Sequence, residues 1–277
     1  MFAAPLGAAP MPTFAVPALP ASLMPTLSAP VLSIPALQLS PAFSPVVPPA
    51  LREGMDQLKA AGAAESIVRA AGASEGFVAQ VQAQLQAAVP SPVLQEILRN
   101  GYVILIKDHI TQDRPDLSAD FDYTGGLNDW GPLGYSIMVA ERIKSVKTGE
   151  WMVSGVWRNS VVHECGHAVD HIMGATDSEE FRQAWGQDYA AMPEAVRGDK
   201  LPDGRKNDFY YFVRPGADGG MDRARQETWA EGFDVLMRGE ASAFNYENFR
   251  THFPRTLAVM RRMLEARYGP IPLSFVS

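Results

Sequence analysis

His163 and His167 stand four positions apart in the run His163-Glu164-Cys165-Gly166-His167. For both imidazoles to meet at one point the segment has to be helical, because residues i and i+4 share a face at about 3.6 residues per turn. Val161 and Val162 before the run, and Ala168 and Val169 after it, require that helix to be buried, since a solvated face would be polar there. The chain must therefore build a core around a polar helix. Its 277 residues, 47% hydrophobic and 20% charged, suffice for one large domain or two small ones. Cys165 is the single cysteine, so no intrachain disulfide forms and the fold rests on packing and on metal. It falls on a different side of the helix from the histidines and is read as a small core residue.

Two histidines on one helix face, with a glutamate beside the first, have the spacing of a catalytic zinc site. Such a site takes three protein ligands and leaves one position for water, whose proton Glu164 is placed to accept as general base. One class of these sites takes its third ligand from a histidine six residues further on. That position is Met173 here, and the glycine the class also needs is Asp170. A carboxylate remains. Glu227 and Glu231 are again i and i+4 on an expected helix, which Phe233 and Leu236 anchor to the core. One can bind metal while the other orients a ligand histidine.

Residues 1–51 contain no Asp, Glu, Lys or Arg and hold twelve of the 22 prolines. Each proline fixes φ and removes a donor, so this segment is expected to be a disordered Pro/Ala-rich tail or linker. A helical region is expected over 52–100, with Met55, Leu58, Ile67, Val68, Phe77, Val78, Val81 and Leu85 at helical intervals, packing on a catalytic domain over 101–277. Strands are expected at 102–106, 135–144 and 151–156, with a long loop over 107–134. Helices are expected from a cap at Asn159 or Ser160 to Met173, then over 178–191, 222–238 and 253–268. The fold class is α+β, mainly helical with a small sheet.

The blocks His163-Glu-Cys-Gly-His-Ala-Val-Asp-His171 and Glu227-Thr-Trp-Ala-Glu-Gly-Phe233 resemble the catalytic domain of anthrax lethal factor and the related Pro-Pro endopeptidases. Gly125-Gly126, Gly134-Tyr135 and the strand after them extend the resemblance more weakly, over about residues 100–240. It implies a zincin-type metallopeptidase with Glu227 as the third zinc ligand. It also implies an oxyanion-steadying tyrosine upstream of that glutamate, but the matching position is Gly220. Tyr211 and Tyr210 are the nearest candidates, Tyr211 favoured because it directly precedes Phe212, with an aromatic core pair as the alternative. Asp170 matches a family aspartate and is expected either to accept a hydrogen bond from the ligand region or to be solvated, and Glu231 to support a ligand. His171 is read as exposed, and Arg214 and Arg223 as solvated loop residues that could instead meet a peptide carboxylate or backbone.

The expected activity is therefore zinc-dependent endopeptidase cleavage of a peptide or protein, with one Zn2+ held by His163, His167 and Glu227 and with Glu164 as base. The strand over 135–144 is the expected docking edge for an extended peptide. The resemblance raises proline-directed cleavage, for which Pro48-Pro49 in the chain's own tail is one candidate bond. The alternatives are an amidase-like zinc hydrolase and a toxin-like binding module with a degenerate metal site. A net charge of −7 does not suggest nucleic acid as partner. Proline interrupts every long apolar stretch, so no membrane span is expected. A secreted or cell-surface protein is favoured, although no Lys or Arg opens the chain as in a secretory signal.

Overall fold

The computed structural model describes residues 67–70, 72–112, 114, 116–131, 134–200, 207–215, 220–242 and 246–270. The chain divides into Met1–Ser44 and Pro45–Ser277, and all described residues belong to the second unit. The proline-rich tail and the helix expected around Met55 lie outside them.

The fold is α+β, mainly helical with a small sheet. Four strands, β1 (Ile67–Arg69), β2 (Val103–Lys107), β3 (Gly126–Gly131) and β4 (Gly134–Ala140), pair in the order β1-β2-β4-β3. β1, β2 and β4 are parallel, with Ile104 opposite Ile137 and Ile106 opposite Val139, whereas β3 runs antiparallel to β4. The period of two sends Ile104, Ile106, Ile137 and Val139 into the main core and Leu105, Met138 and Ala140 into a smaller cluster with Ile110 on the opposite face. A hairpin of β5 (Arg142–Lys144) and β6 (Trp151–Val153) follows.

Helices cover the main core: α1 (Glu75–Ala88), α2 (Ser91–Arg99), α3 (Trp157–Met173), α4 (Glu179–Ala191), α5 (Glu194–Arg197), α6 (Asp222–Arg238), α7 (Tyr246–His252) and α8 (Pro254–Tyr268). Local chemistry sets their ends. Ser74 accepts from the Phe77 N–H, Ser178 from the Phe181 N–H, and Gly174 closes α3 in the left-handed region at φ 60°. α8 takes its cap from another helix, since the buried Asp188 carboxylate accepts from Thr256 N–H and Oγ1.

Four expectations change. Ile67 and Val68 belong to a strand, not a helix: they are β-branched and pair with Ile104 and Leu105, so the segment before residue 101 contributes to the sheet itself. The stretch read as a loop over 107–134 holds β3 and a 3-10 turn (Ala119–Tyr123). Gly126, Asn128 and Asp129 are poor strand formers, and only the tertiary partner β4 reveals the strand. α3 begins at Trp157, two residues ahead of the expected caps, because the Trp157 ring packs edge-on against Phe77 at 5.2 Å and the Ser160 hydroxyl donates back to Val156 O. Finally, β4 lies between β2 and β3 and cannot be a docking edge; among the described residues β3 is the edge strand on that side.

Candidate metal centre

Two helices bring the polar residues together. α3 buries Val161, Val162, Cys165, Ala168 and Val169, and α6 is buried almost continuously from Glu227 to Met237. They cross at Gly166, where a Cβ would lie 2.7 Å from Ala230 Cα and 2.8 Å from Ala230 O, so a residue without a side chain is required for this approach. Both histidines then face Glu227.

His163 Nε2 lies 3.3 Å from Glu227 Oε2 and His167 Nε2 lies 3.4 Å from the same oxygen. The three ligand atoms are all within 4.8 Å of one another. Glu227 Oε2 is buried yet accepts no hydrogen bond, which is costly for a carboxylate oxygen unless a cation meets it. A zinc ion bound at about 2.1 Å by three tetrahedral ligands would set them roughly 3.4 Å apart, and the observed separations fit. The donor set, two imidazoles and one carboxylate, could hold a metal ion, and zinc is among the ions that such donors suit.

The surroundings tune these groups. Glu231 Oε2 lies 3.0 Å from His163 Nδ1, so the Nδ1–H donates there and Nε2 is the nitrogen turned toward Glu227. Burial disfavours a charged His163, but Glu227, Glu231 and Glu164 outweigh it and hold its pKa well above the ordinary imidazole range. Burial likewise works against an ionised Glu227, and His163 and His167 reverse that, keeping it far below the usual carboxylate range. His163 and Glu227 thus favour positive charge between them, which a metal ion could supply in place of a proton. Glu164 differs: burial raises its carboxyl pKa against the pull of His163 and His167, so it is more readily protonated than an ordinary carboxylate. Asn128 Nδ2 on β3 donates to the Glu164 carbonyl at 3.0 Å. A Cβ on Gly126 would sit 3.0 Å from Glu164 Cγ, so the Glu164 side chain lies directly against β3.

Of the two tyrosines, the structure brings Tyr211 to the ligands. Its phenol is within hydrogen-bonding reach of Glu227 and Arg223, and burial together with the Glu227 charge raises its pKa. Tyr210 instead packs against the main core. The 3-10 turn that carries both (Asp208–Phe212) lies against Thr228 Oγ1, whose single proton is shared between Ala224 O at 2.7 Å and Phe212 O at 3.0 Å while the oxygen accepts from Trp185 Nε1 at 3.1 Å. Asp170 is not brought to the ligand atoms. Its two oxygens accept from Thr176 N–H and Oγ1, each at 2.8 Å, and close the turn beyond α3. His171 is exposed as expected, but its Nδ1 lies 2.9 Å from the Tyr102 hydroxyl and its ring 4.7 Å from Tyr135. Cys165 is fully buried, and burial pushes its thiol pKa far up.

No family model and no curated protein matches the chain. Among solved structures it is similar to the Pro-Pro endopeptidase PPEP-2 from Paenibacillus alvei, with 15% identity and a TM-score of 0.44 over 76% of this chain and 99% of that one. At that distance no residue role is carried across, and the site rests on its own geometry.

Asn128, Gly126 and Thr228 are the participants that the sequence did not disclose. Thr228 had a signal, a small hydroxyl residue on a helix directly beside a candidate ligand. Gly126 had only its place in the weaker part of the resemblance, and Asn128 had none, because their strand exists only by pairing.

Proposed function

We propose that this chain is a zinc-dependent endopeptidase. The observation that carries the reading is Glu227 Oε2, buried and without a hydrogen-bond donor, 3.3 and 3.4 Å from two imidazole nitrogens.

His163, His167 and Glu227 would hold the ion. Zinc, when bound, supplies a Lewis acid that polarises a carbonyl and acidifies water. Glu164 accepts the proton of the attacking water and returns it to the leaving amine, a task its raised pKa favours. The Tyr211 phenol donates to the oxygen on which negative charge develops. Glu231 keeps the proton of His163 on Nδ1. Along the outer edge of β3, which no described strand covers, an extended peptide would pair by its backbone and pass close to Glu164. Proline-directed cleavage remains part of the reading through the sequence resemblance alone.

The test combines metal content with cleavage. Zinc measured by elemental analysis should be near one per chain in the wild type, lost in His163→Ala and Glu227→Ala, and kept in Glu164→Gln. Wild type should cleave members of a mixed peptide library, Pro-Pro sequences included, while Glu164→Gln is slower by about 10²-fold or more. Folded, zinc-supplied wild type that holds no metal would overturn the reading.

A further inference from the structure

Tyr211 is flanked by two arginines. The Arg214 guanidinium lies over its ring at 5.0 Å, and the Arg223 side chain, 66% exposed, places Nε 3.7 Å from Glu227 Oε1 and reaches the Tyr211 hydroxyl. Arg223 is not a loop residue, as the sequence suggested; it stands in the first turn of α6. A cation there opposes the helix dipole, which favours acidic residues at that end. The acidic residue of that turn, Asp222, is engaged by Arg225. Among the described residues, Arg223 forms no ion pair except that with Glu227, and Arg214 forms none. Two exposed guanidiniums thus flank Tyr211, one of them also against Glu227, in a chain whose net charge is −7.

We propose that Arg214 and Arg223 receive a carboxylate of the peptide, either an acidic side chain beside the scissile bond or the free C-terminus of a short substrate further along. This rests on the peptidase reading and names its substrate class. Guanidinium is the side chain best matched to a carboxylate, because its planar donors pair with both oxygens. An exposed pair gains little in water. A peptide that covers β3 and excludes solvent there strengthens the same contact.

The experiment uses fluorescein-labelled peptides of one backbone sequence in matched versions: Asp or Asn flanking the central bond, and free or amidated C-terminus. Binding to zinc-loaded Glu164→Gln protein is read by anisotropy at low and high salt, with wild-type cleavage in parallel. The expected result is a preference of about tenfold for the Asp or the free-acid version, weakened by salt. Arg223→Gln and Arg214→Gln should abolish the preference and Arg223→Lys should retain part of it, with melting temperature unchanged in all three and zinc content unchanged in Arg214→Gln, because it is Arg223 that pairs with Glu227. Which pair of versions responds identifies the source of the carboxylate. Peptides bound and cleaved without regard to charge, or a preference that survives both Gln variants, overturn this proposal and leave the peptidase reading standing. No binding and no cleavage of any version by folded, zinc-loaded protein overturns both.

Discussion

Gly166 and Ala230 meet where the two ligand-bearing helices cross, so close that a methyl group on Gly166 would lie 2.7 Å from the Ala230 Cα. That neighbour is backbone and cannot swing aside. Gly166→Ala should therefore push α3 away from α6, costing about 1–3 kcal/mol in overpacking. A chain of this size loses roughly 2–4 °C in melting temperature per kcal/mol. Zinc content should fall with it. Gly232→Ala is the comparison: its methyl meets Met260 Sδ at 2.7 Å, a flexible side chain that can shift. Its melting temperature should drop less and its zinc should be retained. Equal zinc content in the two variants would mean that the crossing distance does not set the site.

Glu231 accepts from His163 Nδ1 at 3.0 Å and so fixes which nitrogen faces Glu227. Glu231→Ala should weaken zinc binding by about 10–100-fold, measured by competition with a fluorescent chelator. Glu231→Gln should lose less, because the amide oxygen still accepts. The reverse order would show that the negative charge, not the orientation of the ring, is what matters.

Tyr211→Phe removes the hydroxyl beside Glu227. We expect kcat to fall about 10²–10³-fold with little change in KM or zinc content. Tyr210→Phe, on a ring packed against the core, should have much the smaller effect. A larger loss in Tyr210→Phe would reassign the role.

Asp122 anchors the hairpin that leads into α3. It is buried, receives hydrogen bonds from Lys144 and Thr111, and keeps a pKa below the ordinary 3.8 because these contacts and the Lys144 charge outweigh its burial. A depressed carboxylate pKa contributes stability that is present above the unfolded value and is lost as pH falls through the folded one. Asp122→Asn should accordingly lower the melting temperature at neutral pH, and the gap from wild type should close below about pH 4. Melting curves across acidic pH check this, and a gap independent of pH would mean that packing alone is at stake.

What the sequence could and could not disclose follows from the range of each interaction. His163 and His167 are one helical turn apart, so local periodicity places them on one face. Glu231 acts on His163 from 68 positions away, and periodicity showed only that two glutamates share a helix; choosing Glu227 as the ligand took the family resemblance. Tyr211 was selected over Tyr210 by its neighbour Phe212, whereas the structural reason is the Thr228 bond to Phe212 O. β3 escaped notice because Gly126 and Asn128 carry no strand signal and acquire one only from β4. Asp170 matched a pattern but spends both oxygens on Thr176, a turn whose geometry the spacing did not convey. Arg223 was read as a solvated loop residue although the helix expected over 222–238 already contained it, and the structure keeps the helix.

Cys165 sits between the two histidines in sequence, yet it is fully buried on the far side of their helix, with its thiol strongly disfavoured as thiolate. As the chain's single cysteine, it gives the protein a built-in clock. An alkylating reagent can reach it only when α3 lifts from the core, so the labelling rate reports how often the helix holding the histidines opens. A ligand that clamps α3 to α6 should slow that clock.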